Sequence, residues 1–273
     1  MRRLYHALGR NKFYEFILFS VFLLFFYGPL LHMSLLAFAE EFQFPDMIPR
    51  TYGFRWWDFV LSNSRLVASI TQSLLIAVIV TAISLAICLP AAYAIGRYQF
   101  KGRNFVRMSF LFTNAFPRIG IYTAMAIVFY QLQLMGTLLG VVLVHVVNSM
   151  MFLIWISAGS FRTVHKSLEE SARDLGATPF RTFLHVTLPL AWPGIVVASM
   201  FTFLGSMEEM EGTLLIGLPT IRTMPTELYG LIQAFPQTAG AAFAMMLLIP
   251  TIIALVLCRK YFSASTISKG IKM

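Results

Sequence analysis

Apolar and polar positions fall in blocks along this chain that are far longer than a helical or strand period. Uncharged runs cover Phe16–Ala39, Leu66–Gly96, Ile119–Phe161, Thr182–Met207 and Leu228–Cys258. A helix needs about 20 apolar residues to cross a bilayer, and the middle run is long enough for parts of two crossings. It breaks at Gln131-Leu-Gln-Leu-Met-Gly136, a short polar turn. The pattern therefore predicts six transmembrane helices, roughly 14–36, 68–95, 108–131, 137–159, 190–211 and 238–258. The fold class is all-α, a polytopic membrane protein.

One polar stretch, Lys166–Pro189, separates two of these runs and reads KSLEESARDLGATPFRTFLHVTLP. It is too polar for lipid and too regular for a casual loop. Leu168, Ser171, Ala172 and Leu175 recur at helical spacing and give a short helix one small apolar face. Glu169, Glu170, Arg173 and Asp174 are expected on its other faces. Gly176 ends the helix where a left-handed residue is needed, and Thr187-Leu188-Pro189 leads into the next span. An ordinary amphipathic connector is the plainer alternative.

The stretch resembles the EAA loop of binding-protein-dependent ABC importer permeases, written Glu-Ala-Ala, three residues, Gly, nine residues, Ile-x-Leu-Pro. This chain has Glu170-Ser171-Ala172, Gly176 and Val186-Thr187-Leu188-Pro189 at the same spacing, with Ser for the first Ala and Val for Ile. The resemblance implies the type I importer permease fold, with a cytoplasmic coupling helix at about 166–176 that docks in a groove of an ATPase subunit. The candidate coupling residues are Glu169, Glu170, Ser171, Ala172, Asp174, Gly176, Leu188 and Pro189. Ser167–Ile195 is similar to the polyamine branch, spermidine/putrescine permeases, almost throughout, and Ser206-Met207-Glu208-Glu209 looks like its Ser-Leu-Asp-Asp. Related sugar permeases also carry an acidic residue near that point.

Composition agrees with a membrane class. The chain has 273 residues, 58% hydrophobic and 12% charged, with mean hydropathy +0.74, whereas soluble domains are about one quarter charged. The net charge of +9 alone would suit a nucleic-acid partner, but its distribution argues for a membrane. Sixteen Lys and Arg fall at the termini, in Arg97–Arg107 and around Glu170, while only Arg50, Arg55, Arg65 and Arg222 lie in the opposite connections. By the positive-inside rule both termini and the Glu170 loop are expected to be cytoplasmic, and the resemblance implies a bacterial inner (plasma) membrane. Basic residues, an apolar run and Ala37-Phe38-Ala39 imitate a signal peptide, but the run exceeds a signal core of about 7–15 residues.

The expected organisation is an N-terminal segment, first helix and outer loop (1–67), a permease core (68–258) and a cytoplasmic tail (259–273). In the outer loop, Phe54-Arg55-Trp56-Trp57-Asp58-Phe59 suits a membrane interface. Cys88 and Cys258 sit near cytoplasmic span ends, and five scattered histidines lack metal spacing. His145 reads as a polar packing residue in mid-span.

Charges at membrane depth mark a candidate solute pathway: Pro117, Arg118, Glu208, Glu209 and Glu211. Arg118 falls near mid-membrane in the third span, where a lone charge costs at least about 2.5 kcal/mol. Pro117 breaks the helix before it, and broken helices often line pathways. In one helix Glu208 and Glu211 would share a face, with Glu209 about 100° away from Glu208. Outer exposure, pairing with Arg118 or Arg222, and lining the route all remain open. The resemblance makes a polyamine-like solute the first expectation; polyamine-type permeases usually have Glu where this chain has Arg118, which admits an anionic or zwitterionic solute, or a sugar, as the alternative.

No phosphate-cradling G-x-x-x-x-G-K-[ST] loop is present, so energy for transport would come from other chains. The implied assembly is this chain with a second permease, two ATPase subunits holding ATP and Mg, and an extracytoplasmic solute-binding protein. The chain itself is expected to bind no cofactor and to perform no covalent chemistry. A secondary transporter would need ion-coupling residues and no docking loop; a membrane-embedded enzyme would need a clustered catalytic set.

Overall fold

The computed structural model describes residues 10–261. The basic residues Arg2, Arg3, Lys269 and Lys272 and most of the expected tail lie outside them. Helix α1 is Arg10–Ala37, followed by a ribbon of β1 (Ala39–Glu41) and β2 (Thr51–Tyr52), paired antiparallel with Ala39 opposite Tyr52. Then come α2 (Arg55–Ser62), α3 (Ser64–Arg97), α4 (Arg103–Ala115), α5 (Arg118–Gln131) and α6 (Leu138–Thr163). The polar stretch forms α7 (Lys166–Asp174) and α8 (Pro179–Thr182), joined by a π-helical turn, Phe183–Thr187, to α9 (Leu188–Glu208). A second π turn, Thr213–Gly217, precedes α10 (Met224–Ala234) and α11 (Gln237–Cys258).

Among the described residues, five helices are long and apolar enough to cross a membrane: Lys12–Ala37, Ser64–Arg97, Leu138–Thr163, Pro179–Glu208 and Gln237–Tyr261. The expected third span, 108–131, is instead two helices, α4 and α5. Pro117 has no N–H to offer, and its ring forces Phe116 into extended backbone (φ −89°, ψ 151°). The expected fifth span also differs. Its helix starts earlier, at Pro179, and stops at Glu208, because Glu209 turns extended (ψ 117°).

The chain divides into two compact units. The first joins the residues up to Ser64 to Gly230–Met246; the second holds Arg65–Tyr229 and Leu247 onward. Residues 230–246, read from the sequence as permease core, group with the N-terminal region because Leu36 and Ala37 pack on Ala241 and Phe59 meets Phe235. The aromatic loop folds on the same unit. Trp57 Nε1 donates to the Ala37 carbonyl at 2.7 Å, and its ring stacks on Phe38.

In the second unit α6 is the buried axis. Its Leu153, Ile154, Ala158 and Phe161 form one core with Cys88, Ala92 and Ile95 of α3 and Ala191, Ile195 and Ala198 of α9. Small residues set the spacing between α6 and α9. A Cβ on Gly194 would collide with the Ser160 side chain, so only glycine permits this approach.

Candidate functional site

Helix α7 is short and capped at its C-terminus as its sequence requires. Gly176 adopts φ +87°, Ala177 N–H donates to Ala172 O at 3.0 Å, and Gly176 N–H donates to Arg173 O at 2.8 Å. This is a Schellman closure, and glycine supplies the left-handed residue without strain. The chain then restarts at Pro179, with Thr178 Oγ1 accepting from Arg181 N–H at 3.4 Å.

The exposed surface of this segment carries large apolar side chains among its polar ones. Leu175 is 89% exposed and Phe180 71%, and Leu168 is also uncovered. An open hollow of about 640 Å³ adjoins Leu175 and is also lined by Ala172, Gly176, Ala177, Arg181 and His185. Glu170, Ser171, Asp174 and Gly176 are exposed and Ala172 is half-buried. Leu188 packs on the α3–α6–α9 core, while Pro189 is exposed at the start of α9.

Glu169 departs from the expected rim. It is only 8% exposed and faces the helix bundle, where its carboxylate pairs with the buried guanidinium of Arg97, the last residue of α3. It also accepts from Thr187 Oγ1 at 2.5 Å. Arg97 Nη1 reaches the carbonyls of Val164 (2.7 Å) and Phe161 (3.4 Å) at the end of α6. Sequence reasoning read Arg97 only as part of the basic loop count. A basic residue ending a long apolar helix was the signal available, but nothing local pointed to its partner.

The acidic group after α9 is not one helical face. Glu208 and Glu211 are exposed, and Glu209 is buried. Glu209 accepts from Gly212 N–H (2.8 Å), Thr213 N–H (3.1 Å) and Thr213 Oγ1 (3.0 Å), capping the turn that follows. His145 of α6 completes the knot, with Nδ1 2.8 Å from Ser206 Oγ and Nε2 2.9 Å from Thr213 Oγ1 and 3.4 Å from Glu209 Oε2. His145 is thus buried polar packing, as its sequence position suggested.

Pro117 and Arg118 are exposed at the break between α4 and α5. Arg118 opens α5 and makes no ion pair with any described residue. Arg222 instead joins Arg65 in clasping the buried carboxylate of Glu227, at 3.1 and 2.7 Å. Of the five pathway candidates, Arg118, Glu209 and Glu211 nonetheless all act electrostatically on Tyr122 of α5, Glu209 most strongly. No group of three or more His, Cys, Asp or Glu that could hold a metal occurs among the described residues.

A family model described as "Binding-protein-dependent transport system inner membrane component" matches residues 88–266, which include α7 and the core around it. The chain belongs to that family. It is a permease subunit of an ABC importer, a transporter component and not an enzyme. It is 31% identical to the putative ABC transporter permease protein ORF1 of Streptomyces antibioticus, over 74% of this chain and 89% of that one. It is 26% identical to the trehalose transport system permease protein SugB of Mycobacterium tuberculosis, over 83% and 84%. The match to the spermidine/putrescine permease protein PotC of Escherichia coli is weaker, 22% over 73% and 75%. A bacterial alginate ABC transporter, solved in complex with an alginate pentasaccharide-bound periplasmic protein, shares the permease fold. Its matching chain superposes with TM-score 0.70 at 18% identity, covering 95% of this chain and 96% of that one.

Proposed function

We propose that α7 is the coupling helix of this permease, seated on a cytoplasmic ATPase subunit. The observation that carries this is its uncovered apolar face. Leu168 of α7, Leu175 at its end and Phe180 of α8 are exposed, Leu175 lines an open hollow, and Glu170 and Asp174 are exposed on α7. Exposed leucine and phenylalanine on a helix too polar for lipid suit a protein groove, and the exposed acids suit a basic rim that orients it. The chain would work with a second permease, two ATPases that hold ATP and Mg, and an extracytoplasmic binding protein. In this reading α4 and α5 together supply the sixth crossing, and both termini and α7 are cytoplasmic.

A saccharide is the solute class we favour. The trehalose permease matches at higher identity, and over more of the chain, than the spermidine/putrescine permease. Arg118, an exposed cation at the α4–α5 break with no ion pair to a described residue, is also a poor lining for a polycation. The same residue favours an anionic or zwitterionic solute as the second reading.

Impermeant thiol reagents applied outside cells test the orientation. A cysteine at Asp46 or Thr220 should label and one at Asn104 or Thr178 should not; labelling at Thr178 would sink the proposal. Binding of saccharides, polyamines and zwitterions to the cognate binding protein separates the solute classes.

A further inference from the structure

A buried polar cluster, Arg97, Glu169 and Thr187, lies behind α7. Arg97 ends α3, and its guanidinium meets the last carbonyls of α6, Phe161 and Val164, where a cation complements the helix C-terminus. The same guanidinium pairs with Glu169 on the inner face of α7. The second carboxylate oxygen of Glu169 accepts from Thr187, at the junction with α9. One ion pair therefore joins the ends of α3, α6, α7 and α9.

The π turn Phe183–Thr187 contributes to this geometry. A π turn holds one more residue than an α turn, and so rotates the following side chains by about 100° relative to an uninterrupted helix. Thr187 is thereby buried and aimed at Glu169. Arg97, Glu169 and Thr187 lie away from the exposed face of Leu175 and Phe180, so a partner on that face leaves the ion pair inside the permease.

We infer that Arg97, Glu169 and Thr187 are positioning residues that make the stroke of α7 rigid, so that its displacement drives α3, α6 and α9 as one body. The inference rests on the coupling-helix reading of α7. A peptide link alone lets a nine-residue helix pivot about its ends; the buried pair removes that freedom. The charge matters as well as the shape, because a guanidinium–carboxylate contact screened from water is stiffer than a contact between neutral side chains.

The test uses the importer complex purified through a tag on this chain and placed in lipid nanodiscs. A cysteine at Glu208, exposed at the far end of α9, reports the stroke by its thiol-labelling rate with and without ATP and vanadate. In the otherwise unaltered complex ATP should change that rate several-fold. In Glu169→Gln and Arg97→Lys the ATPase should still co-purify, since the exposed face is untouched, but the ATP-dependent change should fall below about twofold. Glu169→Gln keeps an acceptor for Thr187 and tests the charge alone. A merely structural role would lower thermal stability while leaving the ATP-dependent change intact in the folded complex, and that result would overturn the inference. If Glu169→Gln does not assemble, Arg97→Lys and Thr187→Val decide the matter by the same ratio. Failure of any ATPase to co-purify with the unaltered chain would refute the coupling-helix reading, and this inference with it; an unaltered response in both Glu169→Gln and Arg97→Lys would refute the inference alone.

Discussion

The chain buries a glutamate at each end of α9, and the two are held by different means. Glu169, beside the start of α9, is paired across the fold with Arg97 of α3 and Thr187. Glu209, just past its end, is held mostly by its own neighbours, Gly212 and Thr213, with His145 of α6 and Tyr122 of α5 beside it from other helices. A cap made within a few residues stabilises a break in the chain; a pair made across helices makes separate elements move together. The first end also leaves an apolar face uncovered, whereas Ile216, in the turn that follows Glu209, packs with Tyr122, Phe129 and Val144.

The comparison breaks first if the two carboxylates respond alike to loss of their partners. Arg97→Gln strands the Glu169 charge inside the bundle and should cost about 3–5 kcal/mol, read as a large fall in thermal stability of the purified complex. Adding Glu169→Gln should recover part of that loss, since the stranded charge is gone. At the other end Glu209→Ala should cost about 1–3 kcal/mol, the penalty of leaving buried N–H and hydroxyl groups unsatisfied. Glu209→Gln should cost less, because one oxygen still caps the turn.

Gly176→Val sharpens the contrast at a smaller scale. A Cβ there meets nothing within 4 Å, so the change acts only through the left-handed backbone, at about 1–2 kcal/mol. It should weaken ATPase co-purification more than it lowers the melting temperature of the permease. Arg118→Ala should have the least effect on stability, within about 0.5 kcal/mol, because the side chain is exposed and makes no ion pair with a described residue. Reduced uptake at unchanged stability would place Arg118 on the solute route.

The long spans were legible because apolar length is written directly in sequence. The end of α7 was legible for a similar local reason: Gly176 follows a helical pattern at the position where a left-handed residue is needed. The direction of Glu169 was not. Glu169 and Glu170 are adjacent and chemically alike, and the choice of which turns inward depends on Arg97, which is remote in sequence. The shared helical face expected of Glu208 and Glu211 was misplaced for the opposite reason. A continuous helical period was extended through Glu209, whose side chain competes for the backbone N–H groups of the next turn and so ends the helix. The break at Pro117 was visible as a proline, but its consequence, two separate helices with Arg118 opening the second, depends on tertiary placement.

The central claim, that α7 presents Leu175 to an ATPase, is tested most directly by a photoreactive amino acid at that position. Irradiation of the assembled importer should crosslink this chain to the ATPase subunit, and Leu175→Glu should reduce ATPase co-purification at least tenfold while the permease stays folded. Crosslinks to lipid alone, with full ATPase retention by Leu175→Glu, would contradict it.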